Sequence, residues 1–234
     1  HIYSLPDFLS QSECERIIKK ASCHMQPCLI KNEISGTVEP DSTRTSWNDN
    51  IHQKEVPTII QKILNLMNNN KTNNERVAVT KEQIEIVQVL RYRHGQEFQS
   101  HTDGYNGPTT ACGFYQSGRI ATIFCYLNDV KDDGGGGKTS FPLLSSGSDS
   151  GSDDDDRRSS SSCSLDVTPT RGLAIVHFPT SLDLEEDERT EHIGNPVTGE
   201  REEKWMLTVW VWKNQRADQR YSEDALPTLS NDII

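Results

Sequence analysis

The chain has 234 residues, a formal net charge of −11 and 33% hydrophobic residues, a length that suits one substantial domain with appendages. The acidic balance argues against a general nucleic-acid binder, which needs a basic face to displace counterions. No stretch reaches the ~20 apolar residues needed to span a bilayer, no signal peptide opens the chain, and compartment and oligomeric state are left open.

In chain order, Ser10 and Glu13 form a capping-box pattern for a helix through Ile17, Ile18 and Ala21. The phrase Leu5-Pro6-Asp7-Phe8-Leu9 is its hydrophobic lead-in. A second helix is predicted from about Val56 to Met67, with Ile59, Ile60, Ile63, Leu64 and Met67 on one face. The polar run Asn68–Asn74 ends it and carries a glycosylation sequon at Asn70-Lys71-Thr72. From Gln83 the period changes. Strands are predicted at Ile84–Leu90, Ile120–Leu127, Gly172–Phe178 and Trp205–Trp212. Two leading helices followed by strands imply an α+β protein with a largely antiparallel core, which a jelly-roll-like double sheet can close. Between Leu144 and Cys163 the composition collapses to Ser, Gly and Asp, which cannot offset the entropy of ordering. It reads as a flexible acidic insertion between two strands. Six cysteines form no CxxC pair. Cys23 and Cys28 either bridge locally or stay free thiols.

The chemistry centres on His101-Thr102-Asp103. In an extended tripeptide, residues i and i+2 share a face, so an imidazole and a carboxylate converge. A second imidazole from a distant strand would complete a 2-His-1-carboxylate set that leaves open positions on iron(II). Alone, His-x-Asp has little specificity.

Its context is more specific. The stretch Gln88–Asp103 resembles the metal-binding strand of prolyl 4-hydroxylases, and Arg119–Val130 looks like that family's next strand. Gly136-Gly137-Lys138-Thr139-Ser140-Phe141-Pro142 resembles its Gly-Gly-x-Thr-x-Phe-Pro turn. Val167–Gly172 matches a Pro-x-x-Gly turn, and His192–Val197 with Lys204-Trp205 resembles the distal histidine block. The blocks occur in family order over roughly residues 44–212. The resemblance implies a collagen-type or plant-type prolyl 4-hydroxylase among the Fe(II)/2-oxoglutarate dioxygenases. It further implies a double-stranded β-helix (jelly-roll) core with supporting N-terminal helices. On this reading residues 1–234 are one catalytic domain, with helical support over about 1–80, the β core over about 83–212 and the insertion over about 144–163.

The same resemblance implies that His101, Asp103 and His192 bind Fe(2+), and that Lys204 pairs with the distal carboxylate of the cosubstrate 2-oxoglutarate. Lys204 follows His192 by twelve residues, against about ten in the family, and the turn Thr198–Glu203 is read as absorbing the difference. Tyr92 and Thr139 match positions whose hydroxyls help hold that carboxylate. Arg44, Arg119 and Trp210 match positions lining a peptide groove, with Trp210 packing on a proline ring and Arg119 donating to a peptide carbonyl. O2 is the second cosubstrate, and ascorbate is expected to restore iron oxidised in uncoupled cycles. His94 and His177 sit at no ligand spacing and read as structural or solvent-exposed, while His24 and His52 fall outside the matched blocks. The implied reaction is hydroxylation of peptidyl proline to 4-hydroxyproline. The alternatives are a 2-oxoglutarate oxygenase acting on a free amino acid or small molecule, and a non-catalytic module that binds proline-rich peptide.

Overall fold

The computed structural model describes residues 2–31, 38–69, 78–131, 135–145 and 164–217. The sequon, most of the acidic insertion, Cys163 and the chain after residue 217 lie outside the described residues. Strand β1 (Ile2–Leu5) precedes α1 (Gln11–Ala21). Short strands β2 (Gln26–Pro27), β3 (Ile30–Lys31) and β4 (Val38–Glu39) lead to β5 (Trp47–Ile51) and α2 (Pro57–Asn68). The remainder is β-rich: β6 (Val87–Tyr92), β7 (Phe98–His101), β8 (Thr109–Ala111), β9 (Phe114–Ser117) and β10 (Arg119–Tyr126). Then come β11 (Thr139–Ser145), β12 (Ser164–Val167), β13 (Ala174–His177), β14 (His192–Gly194) and β15 (Lys204–Trp212).

These strands build a seven-stranded sheet, ordered β1-β13-β10-β15-β6-β5-β2, and a four-stranded sheet, ordered β12-β11-β14-β7. Every pairing in both is antiparallel. The result is the jelly roll that the sequence implied, with both helices on the outer face of the larger sheet. Alternation along the strands explains how one sheet serves two purposes. Val87, Val89, Ala121, Ile123, Cys125, Ala174, Val176, Leu207, Val209 and Val211 point outward and pack with Leu9, Ile17, Ile59 and Ile63. The intervening residues Leu90, Tyr92, Phe124, Tyr126, Ile175 and Met206 point inward, against Phe141 and Val197 from the smaller sheet and its flanking loop. Gln88, Thr122, His177, Lys204, Thr208 and Trp210 share that inward parity, and all are buried. The outer face is thus a hydrocarbon core, and the inner face carries the polar chemistry.

The capping box of α1 forms as the sequence requires. The Ser10 hydroxyl accepts from the Glu13 N–H, and the Glu13 carboxylate accepts from the Ser10 N–H at 2.7 Å. Lys62 of α2 donates to the same carboxylate at 2.7 Å and so ties the helices together. Pro57 opens α2, where its missing N–H is not needed. Several elements differ from the sequence expectation. Ile84 makes only an isolated bridge to Val211, and β6 begins at Val87 because Lys81–Gln83 form a 3-10 turn. Strand β5, rich in Asn and Asp, is recruited by pairing along the whole of its length with β6. Strand β1 caps the free edge of β13. The hairpin β8–β9 is held by Phe114, stacked on Trp212 at 4.4 Å between centroids. Cys23 is exposed and Cys28 buried, and both are free thiols.

Candidate active site

Register brings the first two imidazoles together. His192 on β14 is the cross-strand partner of His101 on β7, and the ring centroids lie 4.3 Å apart. Asp103 follows two residues after His101, where the chain bends off β7. Ligand atoms of His101, Asp103 and His192 all lie within 4.8 Å of one another. The two rings are oriented alike. His101 Nδ1 is 2.7 Å from the Gln99 carbonyl oxygen, and His192 Nδ1 is 3.0 Å from the Thr190 carbonyl oxygen. A carbonyl only accepts, so Nδ1 carries the proton in each ring and Nε2 keeps its lone pair. Burial, and then the neighbouring His101, push His192 down to about 3. Burial likewise lowers His101. Burial alone would raise Asp103, but His177, His192 and His101 outweigh it and hold the carboxyl well below its usual range. At neutral pH the cluster therefore offers two neutral imidazoles and one carboxylate, the donor set suited to iron(II) with positions left open.

A recess runs inward from this cluster, lined by Tyr92, Phe124, Thr139, His192, Gly194, Lys204 and Met206. Lys204 is fully buried. Its Nζ has no hydrogen-bond partner among the described residues and lies 4.6 Å above the Tyr92 ring. Burial pushes it down to about 7. A buried amine without a partner is costly, and a dicarboxylate reaching in from the metal would supply the missing anion. The residues present thus fit both iron(II) and 2-oxoglutarate. Between His192 and Lys204 the chain makes a turn after Val197, where the Glu202 N–H donates to the Gly199 carbonyl at 3.1 Å. Tyr92 faces Lys204 across the β6–β15 ladder. Thr139 accepts a hydrogen bond from the Tyr126 hydroxyl at 2.8 Å, which leaves its own proton free to point elsewhere. Tyr126, buried behind the recess and bonded to Thr139, is a supporting residue that sequence reasoning missed. Its parity with Phe124 on β10 was the available signal.

Outside the cluster opens a groove of about 310 Å³, lined by Thr43, Arg44, Phe98 to Asp103, Arg119 and Trp210. The segment carrying Arg44 lies along β7 through the Thr45 N–H to Glu97 carbonyl bond at 3.0 Å and the Gln99 N–H to Thr43 carbonyl bond at 2.8 Å. Arg44 donates to Gln88 at 2.7 Å and stacks on Phe98 at 4.6 Å. Phe98 in turn stacks on His101, with centroids 3.6 Å apart. Arg119 also has a structural role. Its Nε and Nη2 both bond Glu85 at 3.0 Å, and its Nη1 reaches the Asp103 carbonyl at 3.4 Å. Burial disfavours its charge, but Glu85 outweighs that and raises its pKa. The guanidinium lies 4.1 Å from the Trp210 ring centre, so it props Trp210 and the Asp103 backbone, and these bonds use three of its five N–H groups while it lines the groove. Glu85, which also accepts from Trp212 Nε1 at 2.7 Å, was not anticipated. Nothing in its spacing marks it.

His94 is exposed, as read from the sequence, with its Nδ1 on the Thr198 carbonyl. His177 is not exposed. It is fully buried, 3.4 Å from Asp103.

Residues 87–212 match the family model described as the 2OG-Fe(II) oxygenase superfamily. The chain is 29% identical to probable prolyl 4-hydroxylase 9 of Arabidopsis thaliana, over 88% of this chain and 66% of that protein. It is 31% identical to prolyl 4-hydroxylase 1 of the same plant, over 90% of this chain and 68% of the relative. It therefore spans about two thirds of the length of these relatives. A crystal structure of the viral collagen prolyl hydroxylase vCPH from Paramecium Bursaria Chlorella virus-1, in complex with 2OG, superposes with a TM-score of 0.63 at 25% identity, covering 90% of this chain and 95% of that one. With its sheet order, its His-Asp-His cluster and these likenesses taken together, this chain belongs to the prolyl 4-hydroxylase family of the 2OG-Fe(II) oxygenase superfamily.

Proposed function

We propose that this chain is a catalytic domain that hydroxylates peptidyl proline at C4, consuming 2-oxoglutarate and O2. The observation that carries the reading is the pairing of a His-Asp-His cluster with a partnerless buried ammonium in one recess, beneath an open groove. His101, Asp103 and His192 would hold the iron. Lys204 would take the far carboxylate of 2-oxoglutarate, with Tyr92 and Thr139 beside it. Bound iron with these cosubstrates supplies the oxidising power that puts one oxygen atom into a C–H bond and the other into succinate, with loss of carbon dioxide.

The chain's own part is placement. Lys204 neutralises and orients the keto acid, while Phe124 and Met206 keep the recess dry. Trp210, held flat by Arg119, offers an aromatic face to a proline ring, and its Nε1–H has no partner among the described residues, so a peptide carbonyl can take it. Arg44 lines the other wall. Ascorbate would keep the iron ferrous. The groove is open along the surface, which favours a peptide over a free amino acid. Residues 1–234 are read as one such domain, with the acidic segment as an insertion.

The test is mass spectrometry of a proline-rich peptide library after incubation with iron(II), 2-oxoglutarate and ascorbate. The expected result is a gain of one oxygen on particular prolines, matched by succinate release. Succinate release that no collagen-like or Ser-Pro-rich peptide stimulates would leave an oxygenase of another substrate. Peptide binding without turnover would leave a binding module.

A further inference from the structure

His177 ends β13, and its Cα partner on β10 is Thr122. Neither ring nitrogen of His177 has a hydrogen-bond partner among the described residues, nor has the Thr122 hydroxyl. Both side chains are fully buried. The imidazole is walled by aromatic groups: Phe141 at 5.8 Å and Phe124 at 6.2 Å, both edge-on, with the His192 ring at 5.1 Å. Its Nε2 is 3.4 Å from Asp103 Oδ2, close enough for attraction but not aligned as a hydrogen bond.

A phenylalanine would fill this place with less cost to folding, because a buried polar ring without partners is destabilising. The position makes sense once Asp103 is engaged. Resting on the reading of the cluster as an iron site, we infer that His177 is a positioning residue. Its Nε2–H locks the rotation of the Asp103 carboxylate and draws charge from Oδ2, so that one defined oxygen faces the metal. Among the described residues the carboxylate has no other side-chain donor of this kind. His101 and His192 turn their unprotonated nitrogens toward it, and Arg119 reaches only its backbone carbonyl. His177 touches no reacting atom and works through Asp103 alone. The hydrocarbon walls make the single N–H effective by excluding competing water.

The experiment is a titration of the protein with Co(II) alone, followed by its visible absorption, beside thermal melting of the metal-free protein. Replacing His177 by phenylalanine should weaken Co(II) binding about 10- to 100-fold, the usual effect of losing a partner behind a ligand, and shift the visible bands. Melting of the metal-free protein should not fall. His177→Gln, whose amide can still donate to Asp103, should recover most of the affinity, and His177→Leu should not. If His177→Phe binds Co(II) as tightly as the wild type with the same spectrum, His177 is only a core ring and the inference is wrong. Should that variant fail to fold, equal affinities for the Gln and Leu variants overturn it instead. A wild type whose Co(II) binding is absent, or is untouched by His101→Ala, would sink the metal centre itself, a different failure from that of His177.

Discussion

Lys204 is the residue whose surroundings say most about its task. Burial moves it from 10.5 to about 7, a penalty of roughly 5 kcal/mol against the charged form. The folded amine releases its proton near pH 7 and the unfolded one near 10.5. The unfolded chain therefore binds more protons between those values, so this group makes the ligand-free protein more stable as pH rises through that window and costs most below pH 7. Two expectations follow. In Lys204→Met, melting of the ligand-free protein at pH 6 should rise, while the stabilisation given by added 2-oxoglutarate should vanish. In the wild type, calorimetry should show proton uptake on 2-oxoglutarate binding above pH 7, with affinity falling as pH rises from there. A keto acid affinity that ignores pH would remove Lys204 from the anchor role. His192→Ala should abolish iron binding as judged by equilibrium dialysis, since the two donors left hold the ion poorly.

At this scale the sequence was informative where a motif fixes spacing and silent where it does not. His101 and Asp103 are legible because alternation puts i and i+2 together, and His192 because its block resembles a known one. His177 escaped because nothing local says which face of β13 looks inward. That depends on register against β10, a contact made across about fifty residues of chain. Arg119 was found but its partner Glu85 was not, because Glu85 lies in an irregular stretch with no signature.

Among elements, the turn before β11 controls the recess. Gly136 and Gly137 have φ of +66° and +71°. A Cβ on Gly136 would stand 2.4 Å from the Pro196 carbonyl oxygen, and one on Gly137 would stand 3.4 Å from Lys204 Cδ. Gly136→Ala thus combines a disfavoured backbone with a clash against main chain, and should cost about 1–3 kcal/mol in urea denaturation. Any variant protein that does fold should bind 2-oxoglutarate more weakly, because Thr139 follows on the same turn. The long strands β6, β10 and β15 were readable from β-branched runs, and both helices from period and caps. Strand β5 was not, because Asn and Asp are poor strand formers and only its pairing with β6 makes it one.

For the molecule as a whole, the acidic insertion has a simple geometry at its ends. Ser145 and Ser164 are cross-strand partners on β11 and β12, so residues 146–163 leave and rejoin the sheet at one point. Loop length costs little once the ends are fixed. Replacing 146–163 by Asn-Gly should leave melting temperature and peptide turnover near wild-type values. A loss of turnover with the fold intact would show that the acidic segment recruits substrate. The jelly roll itself was legible from element order. What order could not supply was the division of the larger sheet into a hydrocarbon face and a chemical face, which is a property of seven strands in register.

The hydrogen bonds from both ligand rings to the carbonyls two residues upstream carry one last consequence. A pocket whose donors are already aimed does not wait for a particular guest. Cobalt, nickel, copper and zinc bind nitrogen and oxygen donors at least as well as ferrous ion does. Occupancy by the productive metal must then be decided by supply, and protein grown in zinc-rich or nickel-rich medium should come out loaded with the wrong cation and idle until it is stripped and refilled.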